Sequence, residues 1–199
     1  MLIDTREKII LASTSKIRQQ LMAQSGVEFS IQKPFFDEDL EKSKYRNLKP
    51  QDLAIFLAKQ KALSVSEKFL DCFVIGSDQV CEFEDCEISK SKNRQEAISQ
   101  LQKFSGKIHL QNNATVIAKN SQIIFENFSQ VQLQMHDLNN SQIEKYVDFD
   151  QSWGCAGSYK YESLGKCLFA EVKGDYFTIL GLAIQPLLSF LYQQKIISF

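Results

Sequence analysis

The sequence predicts a mixed α/β fold from its strand ends, its helical periodicity and a pair of long alternating stretches. Apolar strands run straight into small hydrogen-bonding residues: Ile9-Ile10-Leu11-Ala12 into Ser13-Thr14-Ser15, and Val74-Ile75-Gly76 into Ser77-Asp78-Gln79. Between them, Ala54, Leu57, Ala58 and Val65 fall on one face at helical spacing. Residues 107–119 and 122–133 alternate as two longer strands turned at Asn120-Ser121. In open α/β sheets such strand ends line a ligand crevice, and a helix start beside them is a natural anion site.

In chain order, the reading is strand 7–12, helix 15–25 and strand 27–33, then a loop through Pro34-Phe35-Phe36-Asp37-Glu38-Asp39. Helix 50–68 follows, with Pro50 suited to its first turn. Strand 72–77 delivers Asp78 at its carboxyl end and leads into a short hairpin around 80–88. After helix 93–103 and the two long strands comes helix 139–147. A Gly-containing loop, Trp153-Gly154-Cys155-Ala156-Gly157-Ser158-Tyr159, precedes strand 166–172. A turn at Gly174-Asp175 and helix 183–194 finish the chain.

Length and composition narrow the function classes. A chain of 199 residues suits one domain, 1–199, with room for two lobes around a cleft. Hydrophobic residues at 44% and charged residues at 24% are ordinary for a soluble globular protein. A net charge of −1 gives no global field to draw a nucleic-acid polymer, so a phosphorylated ligand has to be held by local geometry. No apolar run approaches a membrane span, and the first residues lack the build of a signal peptide. The 5 Cys form no Cys-x-x-Cys pair and read as reduced thiols in the cytoplasm. Cys81 and Cys86 flank a turn-like Glu84-Asp85 and could face each other across a hairpin, although the reading as small buried hydrophobes is preferred.

Several side chains carry possible chemistry. Lys61 lies in the middle of the apolar stripe of helix 50–68, where its ammonium either reaches an anion or snorkels outward, and both readings stand. Lys59 and Lys68 lie off the stripe and read as solvated charge. A carboxylate at a buried strand end, Asp78, requires a partner or a function. Asp37 and Glu38 could share a divalent cation with it, since Mg²⁺ accepts one or two carboxylates plus phosphate oxygens; by themselves they read as an acidic surface loop. Lys90 either reaches phosphate or belongs to an exposed basic turn. His109 and His136 have no metal-ligand spacing and read as structural, and so does Cys155.

Taken together, these segments resemble the Maf family of nucleoside triphosphate pyrophosphatases nearly end to end. Leu11-Ala12-Ser13-Thr14-Ser15-Lys16-Ile17-Arg18 is similar to the family's Leu-Ala-Ser-x-Ser-Pro-x-Arg opening, and Ala58-Lys59-Gln60-Lys61-Ala62 to its Leu-Ala-x-x-Lys-Ala helix. Gly76-Ser77-Asp78, Ser105-Gly106, Ala156-Gly157-Ser158-Tyr159 and Leu180-Gly181-Leu182 resemble further family motifs in the same order. The resemblance implies a Maf/Ham1-like (ITPase-like) fold, an elongated mixed sheet with helices and two lobes around a central cleft, commonly a homodimer. It implies hydrolysis of a nucleotide between its α- and β-phosphates with a divalent metal, Mg or Mn. Asp78 would be the general base or metal-linked acid that readies water, and Glu38 would help hold the metal. Ser13, Ser15, Arg18, Lys61 and Lys90 would bind phosphates, which settles Lys61 in favour of function.

Within the family, Gln79 after the Asp and Glu162 in Ser158-Tyr159-Lys160-Tyr161-Glu162 resemble the branch acting on 7-methyl-GTP. A carboxylate accepts from a guanine edge and favours the positive charge that N7-methylation adds. Departures concern this branch most: Lys16 replaces a proline, and Ile17 stands where an aromatic residue would stack on a cationic base. Ser91 replaces the proline after Lys90, Asn113-Ala114 replaces Thr-Gly, and Pro186 lies downstream of its usual place. The expected function is therefore clearance of a modified nucleotide, 7-methyl-GTP first. The alternatives are dTTP/UTP pyrophosphatase of the same family, and a nucleotide-binding regulator of septum formation.

Overall fold

A computed structural model describes residues 3–36, 45 and 47–199. Its main sheet has strand order β3-β2-β4-β6-β7-β8, with β5 paired to β4. The strands are β2 (Ile9–Leu11), β3 (Ser30–Ile31), β4 (Phe73–Phe83), β5 (Cys86–Ile88), β6 (Ile108–Lys119), β7 (Gln122–Met135) and β8 (Phe169–Lys173). A small separate sheet pairs β1 (Asp4–Thr5) with β9 (Ile197–Ser198). β2 runs parallel to both β3 and β4, and the rest of the main sheet is antiparallel. The mixed α/β expectation is met.

Alternation along the strands assigns the helices to faces. Val74, Val116 and Ala118 point to α2 (Pro50–Ser66), whose Ala54, Leu57, Ala58 and Ala62 are fully buried against them. Ile75 and Ile117 point the other way, to Leu21 and Met22 of α1 (Lys16–Gln24) and Leu187 and Leu191 of α6 (Ile184–Gln193). Beyond them, Phe83, Leu133 and Met135 pack with α3 (Arg94–Phe104) and α4 (Asn140–Asp150). Both of the latter helices are capped by asparagine: Asn93 accepts from the Glu96 N–H, and Asn139 forms a reciprocal capping box with Gln142. A short helix α5 (Tyr176–Ile179) connects β8 to the last helix.

Several sequence expectations need correction. β4 does not stop at residue 77 but continues to Phe83, so Asp78 lies in mid-strand. Ser77, Asp78 and Gln79 look like strand terminators, yet their side chains find partners in β6, in α2 and in the backbone of residues 178–181. Strand 27–33 shrinks to Ser30–Ile31, and β8 begins only at Phe169, after a 3-10 turn at Leu164–Leu168. Cys81 and Cys86 do not face each other, because the hairpin register pairs Phe83 with Cys86 and Cys81 with Ile88. Cys72 and Cys81 are buried as small hydrophobes, whereas Cys86 and Cys167 are exposed.

The register opens a notch in the sheet. β2 partners β4 only as far as Ile75, and β5 partners it only from Cys81 onward, while β6 pairs along the whole intervening stretch. Residues 76–80 thus have a strand neighbour on one side only among the described residues. Asp78 sits at the middle of that notch, beside the end of β2. The crevice expected beyond the carboxyl ends of parallel strands is therefore present, formed by a missing neighbour and not by the end of β4.

Candidate active site

Gly76 brings α2 onto the notch. A Cβ at this position would lie 2.4 Å from the Ala58 carbonyl oxygen and 2.8 Å from the Ala62 nitrogen, so only glycine permits the approach. Lys61, on the same face of α2, then reaches across to Asp78, and its ammonium donates to Asp78 Oδ1. Both residues are buried, at 7% and 3% exposure. Burying this charge in an apolar stripe is tolerable because a carboxylate meets it. Asp78 Oδ2 is also buried and has no hydrogen-bond partner among the described residues.

On the opposite face, the end of α5 and the turn after it supply backbone carbonyls. Arg18 of α1 donates through Nε to the Gly181 carbonyl at 2.6 Å, and the Ser77 hydroxyl lies 2.9 Å from the same oxygen. Gln79 places Nε2 3.2 Å from the Thr178 carbonyl and 2.7 Å from that of Ile179. These partners are acceptors, so the Gln79 amide nitrogen is engaged and its oxygen is what remains to meet a ligand. Gly181 has φ +93, and a Cβ there would press on Gln79 Oε1 and the Arg18 guanidinium. Asn113 locks the layer from β6, donating to the Asp78 carbonyl at 2.9 Å and accepting from the Ala183 N–H at 3.3 Å.

Two cavities adjoin at this point. The larger, about 1060 Å³, is lined by Ser13, Thr14 and Ser15 at the start of α1, and by Lys33, Phe35 and Phe36. The smaller, about 190 Å³, is lined by Asp78, Gln79, Ile17, Tyr159, Tyr161 and Glu162, among others. Ser15, Arg18, Lys61, Lys90 and Gly154 line both, so the cations gather at the junction. Ser15 occupies the N-cap position of α1 without a side-chain cap bond, and the Ser15 N–H donates to Ser13 Oγ at 3.2 Å. The positive end of α1 thus adds to the cationic surface. Lys90 is exposed and reaches the junction from the far side of the notch. The Gly154 N–H donates to the Ser91 carbonyl at 2.8 Å, and the Ser158 hydroxyl donates to Ser91 Oγ at 2.8 Å, fixing this segment against the glycine loop.

Comparison with known proteins identifies the architecture. Residues 8–194 match the family model described as Maf-like protein. The chain belongs to the Maf family. A "Nucleoside triphosphate pyrophosphatase" of Legionella pneumophila strain Philadelphia 1 is 36% identical over 192 residues, covering 96% of each chain. One of the same name from Ruegeria sp. is 37% identical over 195 residues, covering 95% of this chain and 97% of its own. A "7-methyl-GTP pyrophosphatase" of Brucella suis biovar 1 is 38% identical over 194 residues, covering 96% and 98%.

Of the positions singled out from sequence, this Maf chain brings Ser13, Ser15, Ile17, Arg18, Lys61, Asp78, Gln79, Lys90 and Glu162 to the lining of one or both cavities. Glu38, with Asp37 and Asp39, lies outside the described residues. Lys59 pairs with Glu126 at 2.7 Å on the surface, as expected of a residue off the stripe. Sequence reasoning missed Tyr161 and the carbonyls of Thr178, Ile179 and Gly181. The carbonyls left only the faint signal of a glycine between two leucines.

Burial sorts the remaining titratable groups. Cys155 lines the smaller cavity, but burial pushes its thiol up, which keeps it protonated and poorly nucleophilic. His109 is buried in β6, its Nε2 3.0 Å from the Tyr159 hydroxyl, and desolvation lowers it to about 3. Both fit the structural roles expected of them.

The orphaned Oδ2 of Asp78 tests whether a divalent metal fits. Among the described residues no group of three His, Cys, Asp or Glu gathers to cage an ion. A buried carboxylate oxygen with no hydrogen-bond partner among the described residues, on a residue that lines a cavity shared with three cationic side chains, nevertheless suits a hard cation that takes one or two carboxylates and completes its shell from other oxygens.

Proposed function

We propose that this Maf protein is a 7-methyl-GTP pyrophosphatase, cleaving between the α- and β-phosphates to release the monophosphate and pyrophosphate. The coarser activity, nucleoside triphosphate pyrophosphatase and hence hydrolase, is supported by relatives of that name at 36–37% identity over nearly the whole chain. The carrying observation is the junction: Arg18, Lys61 and Lys90 line both cavities, between a hydroxyl-lined space and a small pocket with an acid and aromatic rings. A triphosphate laid across it has its base in the smaller cavity, its α-phosphate at the cations beside Asp78, and its β- and γ-phosphates among Ser13, Ser15 and the start of α1.

In this reading Asp78 accepts a proton from the attacking water, and Lys61 holds the carboxylate in place. Arg18 and Lys90 offset charge developing on the phosphoryl oxygens, which matters more here than covalent chemistry. A divalent cation, Mg or Mn, held through Asp78 and Glu38, would polarise the phosphate and water when bound. Specificity comes from acceptors: the Glu162 carboxylate and the Gln79 oxygen face the same pocket. A guanine edge offers ring N–H and amine donors to such a pair, and the charge on a 7-methylated base strengthens the contact with Glu162. We place this reaction in the cytoplasm; no described helix is long and apolar enough to cross a membrane.

Pyrophosphate release from 7-methyl-GTP, GTP, dTTP and UTP, by wild type and Glu162→Gln, tests the proposal. Wild type should prefer 7-methyl-GTP, and the variant should lose about ten-fold of that preference, the scale of one charge-assisted hydrogen bond. A wild-type preference for dTTP or UTP would overturn the base assignment. Nucleotide binding with no turnover would point instead to a regulator.

A further inference from the structure

We infer that the ring of Tyr161 is the face on which the nucleotide base stacks; the inference rests on reading the smaller cavity as the base pocket. Its aromatic lining residues are Tyr159 and Tyr161. Tyr159 is committed to the core: it is 4% exposed, its hydroxyl is tied to His109 and Gln111 at 3.0 and 2.8 Å, and its ring meets Phe169 edge-on. Tyr161 is half-buried and sits at the margin of the hydrophobic cluster that also borders Ile17. Its ring is backed by Phe169 and Tyr176, with centroids 5.9 and 5.8 Å away. Ile17, Ile179 and Leu180 supply aliphatic surface to the same cavity, so a planar base entering it meets the aromatic face against aliphatic walls.

The segment is held rigidly enough to present that face. The Lys160 N–H donates to the Tyr146 hydroxyl at 2.8 Å, and Lys160 Nζ donates to the Asp150 carbonyl at 2.6 Å. The Lys160 carbonyl accepts from both Ser163 and Gly165. Tyr161 and Glu162 are thus neighbours on a pinned backbone, one offering a π-face and the next an edge acceptor. The phenylalanine rings of the larger cavity are less suited: Lys68 already covers the Phe35 ring at 3.7 Å, and Phe36 packs against the cluster under α2. A π-face also favours a base carrying positive charge over a neutral one.

The test is titration of wild type, Tyr161→Leu and Tyr161→Phe with 7-methyl-GMP, GMP and ribose 5-phosphate. Leucine keeps apolar bulk against Phe169 and Tyr176, while phenylalanine keeps the ring. Tyr161→Leu should weaken 7-methyl-GMP about ten-fold and GMP less, as expected for loss of base stacking with a cationic contribution. Ribose 5-phosphate, which has no base, should be unaffected, and Tyr161→Phe should restore 7-methyl-GMP affinity. Equal weakening of all ligands, or none, would overturn the inference, as would a wild type that binds 7-methyl-GMP no better than ribose 5-phosphate. The readout needs no turnover, so a wild type that binds these nucleotides but releases no pyrophosphate would sink the proposed reaction and leave this assignment standing.

Discussion

Asp78 and Lys61 show what a buried pair costs and what it leaves available. Removing Lys61 takes the cation away from a buried carboxylate, and losses of that kind run to about 3–5 kcal/mol. The second carboxylate oxygen, Oδ2 of Asp78, is buried with no hydrogen-bond partner among the described residues. His109 behaves in the opposite way. It is kept neutral by burial, with its pKa lowered to about 3, below the ordinary value of the unfolded chain. The unfolded state then binds more protons than the folded state between those values, so the stabilisation is complete above pH ~6.5 and declines as pH falls towards ~3. Thermal unfolding followed from pH 7 to pH 4.5 should show a decline, with His109 contributing up to about 1.4 kcal/mol per pH unit. His109→Gln should start lower, having lost its contact with Tyr159, but show a shallower slope; an unchanged slope would mean that other groups carry the acid sensitivity.

At the scale of elements, the site is an encounter between α2 and β4 that Gly76 permits. Gly76→Ala puts a methyl into the Ala58 carbonyl and the Ala62 backbone, which are helix main chain and cannot rotate away. Overpacking of this kind costs about 1–3 kcal/mol, so the variant should unfold at lower temperature. Because α2 must shift, Lys61 moves relative to Asp78, and turnover per folded molecule should fall as well. A variant with wild-type stability and turnover would refute this close approach. Gly76 and Lys61 were legible in the sequence, one in the Gly-Ser-Asp motif and the other as a misplaced cation in an apolar stripe. The length of β4 was not. Ser77, Asp78 and Gln79 read as a stop because their hydrogen-bond partners, Asn113 and the carbonyls of residues 178, 179 and 181, lie far away in sequence.

At the scale of the molecule, a chain of net charge −1 concentrates Arg18, Lys61 and Lys90 at one junction, so the local field there is set by topology and not by bulk charge. The order and spacing of motifs carried the family through the sequence, and the α/β class followed from strand and helix periods. The smaller cavity did not show in the sequence, since it lies over a register that, among the described residues, leaves 76–80 without a strand neighbour between β2 and β5. Tyr161 escaped notice for the same reason: its importance depends on which wall of that notch it lines. The central claim is that a nucleoside triphosphate crosses this junction and is cut there under the control of Asp78. The most direct measurement is pyrophosphate release by wild type and Asp78→Asn, with nucleotide affinity measured for both. Wild type should release pyrophosphate and no orthophosphate, and the variant should keep binding while losing at least about a hundred-fold in rate, as removal of a catalytic base requires. Turnover by Asp78→Asn within a few-fold of wild type, or release of orthophosphate by the wild type, would contradict the account.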